Sequence, residues 1–362
     1  MNNRAQPQRS TVTQSNRRGA THMSFSARLQ QILHRHNSTS ADGRKVVSFA
    51  TKALRAQVLR QSFRELRQLG FRLQNPENLK PKHAQALVSS WEGKKLAPAT
   101  IGNRVSVLRT FCDWINKPGM ILPAIAYVSD PAAAKRQVSA TQSKAWETNG
   151  VDSDQLVDQV MQYDKWVGMQ LKVMQTFGLR RKEAVCLRPY LADQVTYLAV
   201  SHGTKGGRDR VVPIDSDQKR AIMEEAKRLV GGKKDTPLAR PGKNLKQNLR
   251  RFNYVVEKFG ITKKDLGVTG HGLRHGCLNG LFFDLTGAPA PVEGGRREEV
   301  TPEDERLARM KIAEVAGHSR PSVTTAYSGS YRQMQRIRRK EEAKPDGPDE
   351  SPATPTESES EP

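Results

Sequence analysis

Apolar residues at Phe49, Leu54, Val58, Leu59, Phe63 and Leu66 mostly recur at helical spacing, with Arg and Lys between them. That is the period of a helix with one buried stripe, and Gly70 is placed to cap its C-terminus. A second helix is expected over Lys82–Glu92, with Pro81 near its start. A third is expected over Thr100–Ile115, where Ile101, Val105, Leu108, Phe111, Cys112 and Ile115 share one side. Pro118, Pro123 and Pro131 and the polar residues around them then interrupt the pattern, as a linker does. The helical period returns over Leu156–Phe177 and continues over Glu183–Leu187 beyond Gly178. Two short apolar runs follow, Val195–Val200 and Arg210–Ile214, joined by a Gly- and Lys-rich segment. They predict a hairpin or a three-strand meander. Further helices are expected at Lys219–Leu229, Leu245–Phe259, Gly272–Phe283, Pro302–Val315 and from Pro321 to about Arg339. The expected class is mostly α with a small β-sheet: an all-helical module, then an α+β domain.

This pattern divides the chain into a basic, unstructured leader or arm over 1–45, a helical module over 46–130 and a linker over 131–150. A larger domain follows over 151–338. Within it, residues 285–305 hold Gly287, Pro289, Pro291, Gly294 and Gly295 and read as a surface insertion. Residues 339–362 are acidic and rich in Pro, Ser and Thr, a composition that builds no core.

Charge narrows the choice of partner. The 362 residues carry a formal net charge of +23, which points to a polyanion. Lys94, Lys95, Arg104 and Arg109 make the helical module basic and are candidate DNA contacts. No apolar run is long enough to span a bilayer and no signal-peptide core is seen, so a cytoplasmic location away from membranes is expected. Cys112, Cys186 and Cys277 are scattered without metal-ligand spacing, so neither a metal nor a cofactor is expected.

Several polar residues stand where packed structure or tight turns are predicted. Arg180 follows Phe177-Gly178-Leu179, and Lys205 lies in the hairpin turn. His271 and Arg274 are three apart at a helix start, His318 follows Ala316-Gly317, and Tyr327 lies on the next helical segment. Singly, each has an ordinary reading: a helix-end arginine, a turn lysine, a cap, a surface histidine, a core aromatic. Together, in so basic a chain, they fit one chemistry. A tyrosine oxygen attacks a backbone phosphorus, two guanidiniums hold the charge that develops, a lysine protonates the leaving oxygen, and histidines move protons.

These segments resemble the tyrosine recombinase (phage integrase) family. The likeness runs from about residue 48 to about residue 335 and rests on Gly178-Leu179-Arg180-Arg181-Lys182-Glu183, on Lys205 before Arg210-Val211-Val212-Pro213-Ile214, on His271-Gly272-Leu273-Arg274-His275, on Gly317-His318 and on Tyr327. Leu96-Ala97-Pro98-Ala99-Thr100-Ile101 and Leu108-Arg109-Thr110-Phe111 look like the family's core-binding module. The resemblance implies catalytic roles for Arg180, Lys205, His271, Arg274, His318 and Tyr327, with Glu183 and His275 in support. Arg181, Arg208 and Arg210 are expected on DNA phosphates. It further implies a 3′-phosphotyrosine intermediate and a clamp formed by both modules on double-stranded DNA. A homotetramer on two DNA sites is implied, with DNA-bending accessory proteins as further partners. The reaction expected is site-specific recombination, for integration or excision of a mobile element. A type IB topoisomerase and a catalytically idle DNA-binding protein are the alternatives, and Tyr331 is the rival tyrosine.

Overall fold

The structure, a computed structural model, describes residues 23–40, 45–132, 138–232 and 234–342. The chain divides into two compact units, Met1–Arg136 and Gln137–Pro362, and each has its own apolar core.

In the first unit the described α-helices are α1 (Phe25–His36), α2 (Phe49–Gln68), α3 (Pro81–Gly93) and α4 (Pro98–Trp114). Ser24 and Ser48 start α1 and α2 by accepting from the amides of Ala27 and Thr51, caps worth about 1 kcal/mol each. Proline opens α3 and α4, where its missing N–H costs nothing. Leu59, Leu66, Leu87, Trp91, Leu108 and Phe111 fill the core between them.

Two expectations are corrected in this unit. Part of the supposed unstructured leader is α1, because Leu29, Ile32 and Leu33 lie on one helical face and are buried in the core; residues 1–22 and 41–44 of that leader lie outside the described residues. Phe49 and Leu54, expected on the buried stripe of α2, are exposed. Arg55 is buried there instead, donating to the Thr39 carbonyl at 2.8 Å with its guanidinium 5.6 Å from the Trp114 ring centroid.

In the second unit the described helices are α5 (Ser153–Tyr163), α6 (Lys165–Phe177), α7 (Arg181–Cys186), α8 (Pro189–Ala192), α9 (Asp217–Val230), α10 (Leu245–Lys258), α11 (Gly270–Thr286), α12 (Pro302–Ala316), α13 (Thr325–Ser328) and α14 (Tyr331–Glu342). Between α8 and α9, β1 (Tyr197–Val200) pairs antiparallel with β2 (Arg210–Pro213), Leu198 facing Val212. The hairpin is two-stranded; the third element of a meander is reduced to an isolated bridge, Asp193 to Leu198. The fold is thus mostly helical with one small sheet.

Four further expectations change. The single helix over Leu156–Phe177 is two, broken at Asp164, whose side chain caps α6 through the amides of Trp166 and Val167. The break lets α6 approach closely: a Cβ on Gly168 would lie 2.4 Å from the Met161 Cα. The later half of the predicted linker belongs to this unit, since Trp146 is fully buried and donates to the Thr269 carbonyl at 2.8 Å. The predicted surface insertion also reaches the core through Ala290, Val292 and Val300. Finally, the helix expected from Pro321 onward is split, because Gly329 has φ +71° and ψ −173° and ends α13 after four residues. Of the acidic tail, residues 343–362 lie outside the described residues.

Candidate active site

The C-terminus of α12 organises the site. The last carbonyls of a helix lack intrahelical partners and carry the negative end of its dipole, so they attract cations. Here three arginines take them. Arg210 Nε donates to the Val315 carbonyl at 2.7 Å, and Arg180 and Arg274 donate to the Ala316 carbonyl at 2.9 and 2.7 Å. Gly317 then turns the chain at φ +69°, the amide of His318 reaching back to Ala313. A Cβ at Gly317 would press on the Arg210 Cδ at 3.0 Å, so the Gly-His pair has a steric cause.

Gly178 does a similar service at the end of α6. Its left-handed conformation, φ +59°, swings Arg180 to the start of α7, and its carbonyl accepts from Arg274. Glu183, one turn into α7, accepts the Arg180 amide at 2.7 Å and the Arg180 guanidinium at 2.8 Å. It also accepts two bonds from Arg210, at 2.8 and 2.7 Å. Burial pushes the Glu183 carboxyl up, but Arg210 and Arg180 outweigh it and hold the pKa down to about 2. Arg210, expected on DNA, is thus an interior residue, only 7% exposed, whose guanidinium is committed to Glu183 and Val315.

Tyr327 lies over this floor. Its hydroxyl accepts from Arg274 Nε at 3.3 Å and lies 3.1 Å from His318 Nε2. The Arg274 guanidinium sits 5.4 Å from the centroid of the tyrosine ring. His275 packs on the other side, 4.8 Å between ring centroids, and His271 stands 6.2 Å away. The second position of the His-Gly-Leu-Arg run must be glycine, because a Cβ at Gly272 would lie 2.2 Å from the Lys144 carbonyl oxygen. Tyr331 is outside this group: its ring packs under Arg297, and its buried hydroxyl has no hydrogen-bond partner.

Loss of water and nearby cations keep the histidines neutral. His271 and His318 are each lowered to about 4, the first also by Arg274, Lys144 and Arg180, the second also by Arg180, Arg274, Arg210 and Lys205. His275 is lowered to about 3 by burial, then by His271, Lys144 and Arg274. A neutral His318 Nε2 can accept the phenolic proton, and the surrounding positive charge calls for an anion.

Lys205 occupies the exposed hairpin tip, close enough for its charge to act on His318 but bonded to no other side chain. Arg208 is exposed beside it. Arg181 is exposed on α7 and donates to Asn253 Oδ1 at 2.5 Å. In the first unit, Lys95 and Arg109 face outward. Lys94 is paired with Glu65, and the Arg104 guanidinium lies 5.1 Å from the Trp91 ring centroid, so these two charges already have partners. Lys144 was not foreseen: it is exposed, and its charge acts on His271 and His275. Nothing in its local sequence signals that role. Among the described residues no group of three or more His, Cys, Asp or Glu side chains is placed to hold a metal ion, and no helix is long and apolar enough to cross a membrane.

The site holds a tyrosine against a floor of arginines, and comparison with known proteins gives the family. Residues 33–120 match the model for the N-terminal domain of phage integrases, and residues 135–277 match the integrase model. The chain belongs to the tyrosine recombinase (phage integrase) family and is a site-specific recombinase acting on DNA. No curated protein matches it at the level of sequence. The fold is similar to that of a lambda integrase dimer bound to a COC′ core site, at 16% identity and TM-score 0.53, over 84% of this chain and 77% of that one. It is also similar to a Tn1549 transposon integrase in complex with transposon right end DNA, at 16% identity and TM-score 0.52, over 87% and 99% of the two chains.

Proposed function

We propose that Tyr327 is the nucleophile that cuts one DNA strand and stores the broken bond as a 3′-phosphotyrosine. The Tyr327 oxygen bonds to phosphorus, its proton passing to His318 Nε2, while the bond from phosphorus to the 5′ oxygen breaks and Lys205 protonates that oxygen. Arg180 and Arg274 hold the non-bridging oxygens, with His271 beside them and Glu183 and His275 in support. Religation to a different 5′ end reverses the step. The observation that carries this reading is the Tyr327 hydroxyl shared between Arg274 Nε and His318 Nε2. The integrase model ends at residue 277, so the roles of His318 and Tyr327 rest on geometry.

The biological reaction is integration or excision of a mobile element, carried out by four protomers on two duplexes. The likeness to a lambda integrase tetramer bound to a Holliday junction, TM-score 0.53, and to the transposon integrase supports it. Lys95, Arg109, Arg181 and Arg208 are the proposed phosphate contacts.

The test is covalent trapping on a nicked duplex taken from the flanks of the encoding gene, without divalent metal. Wild type and Tyr331→Phe are expected to form the adduct and Tyr327→Phe to form none. Tyr331→Phe removes a buried hydroxyl that has no partner, so stability should hold or rise by about 1 kcal/mol. An adduct that persists in Tyr327→Phe and vanishes in Tyr331→Phe moves the nucleophile to Tyr331.

A further inference from the structure

The helix that carries Tyr327 is too short to hold itself. An isolated four-residue helix is unstable in water, so α13 must be fixed by its surroundings. The residue behind it is Arg309, on the inner face of α12 and 9% exposed. One guanidinium nitrogen donates to Thr324 Oγ1 at 3.3 Å and Ser328 Oγ at 3.1 Å, and the other donates to the Gly329 carbonyl at 3.1 Å. Nε is held by Glu305 at 2.8 Å, one turn earlier on α12, and Glu305 is itself paired with Arg297 at 3.0 Å. Thr324 and Ser328 are fully buried and flank the tyrosine on either side.

We infer that Arg309 is a positioning residue that sets the Tyr327 oxygen against the arginine pair. The argument is one of shared support. The last carbonyls of α12 hold Arg180, Arg210 and Arg274, and Arg309, two turns earlier on that helix, holds the tyrosine segment. One rigid element thereby fixes the distance between attacking oxygen and phosphate-binding guanidiniums. Misplacement by about 1 Å costs about 100-fold in rate.

The inference rests on Tyr327 as nucleophile, and the two fail separately: an adduct persisting in Tyr327→Phe removes the assignment, and an undiminished rate in Arg309→Met removes only the positioning. Arg309→Met keeps a long apolar stem and drops the fork. Single-turnover adduct formation on the nicked duplex is expected to fall about 100-fold while duplex affinity stays within about twofold. A 5′-bridging sulfur at the cleavage site, which leaves without a proton, should not restore the rate, because the defect lies with the attacking oxygen. A rate within about threefold of wild type, or recovery with sulfur, overturns the inference. Should Arg309→Met fail to fold, Thr324→Val combined with Ser328→Ala removes the hydroxyl partners and leaves Arg309 paired with Glu305. That variant should lose about tenfold in adduct rate at unchanged duplex affinity, and an unchanged rate sinks the proposal.

Discussion

Arg180, Arg210 and Arg274 converge on the last two carbonyls of α12, whereas Lys205 stands on a glycine-rich hairpin tip with no hydrogen bond or ion pair. Arg274 is fully buried and makes three hydrogen bonds. Gly206 and Gly207 beside Lys205 take φ +75° and +67°, a backbone open to few other residues. Both regions act electrostatically on His318, but only the arginine floor is assembled before substrate arrives. The contrast fits the two roles proposed for these residues. Charge that develops in a transition state is best met by dipoles and cations already in place. A proton donor needs only to reach its oxygen once the strand lies in the site.

The largest break in this comparison should come from the floor. Arg274→Lys keeps a charge but loses the planar fork that spans the carbonyls of Gly178 and Ala316 and the Tyr327 hydroxyl. Single-turnover cleavage is expected to fall about 1,000-fold. A loss of less than about tenfold would mean that point charge suffices and that the prebuilt fork is irrelevant to rate.

Lys205→Ala should fall less, about 100-fold, and should leave the melting temperature where it is. The two regions then separate on one substrate. With sulfur in place of the 5′ bridging oxygen, the Lys205→Ala rate is expected to return to near wild type, while Arg274→Lys stays slow. If sulfur fails to rescue Lys205→Ala, the lysine is not the proton donor and the hairpin serves another purpose.

The same contrast explains what the sequence made legible. Gly178-Leu179-Arg180, His271-Gly272-Leu273-Arg274 and Gly317-His318 are readable because each glycine is demanded locally, by a left-handed turn or a close backbone approach. The helical periods likewise placed most elements within a few residues. What stayed hidden depends on tertiary packing. Arg210 reads as one more basic residue near a hairpin, and only the fold brings it against Glu183 and α12. Lys144 and Arg309 lie far in sequence from the residues they serve. The close approach of Gly168 to Met161 that the break at Asp164 permits is one that no hydrophobic period encodes. Residues 285–305 look like a loop by composition, yet Val292 packs against the glycine that follows the tyrosine helix.

The last difference is a dependence on pH that comes from burial and the cations of the floor, with Lys205 adding to it only at His318. Each histidine of the site has its folded pKa below the ordinary 6.5: about 4 for His271 and His318, about 3 for His275. Between the folded and unfolded values the unfolded chain binds more protons, so stability rises with pH there. The histidine contribution is therefore complete above pH 6.5 and is lost as pH falls through about 4 and 3. Glu183 follows in the same direction, its share present above 4.5 and lost as pH falls toward about 2. For this fully buried carboxylate the share is on the order of 3 kcal/mol. Thermal melts of the full chain from pH 7.5 to 4 should show a falling midpoint, with only the His318 share reduced in Lys205→Ala, because Lys205 is among the cations that lower that histidine's pKa. Adding the nicked duplex should flatten the histidine part of the curve, because a phosphate on the arginines stabilises the protonated imidazoles. A midpoint unchanged between pH 6.5 and 4 would mean that burial and the nearby cations do not hold the histidines neutral. A profile altered in Lys205→Ala beyond the share of His318 would mean that the hairpin is part of the floor.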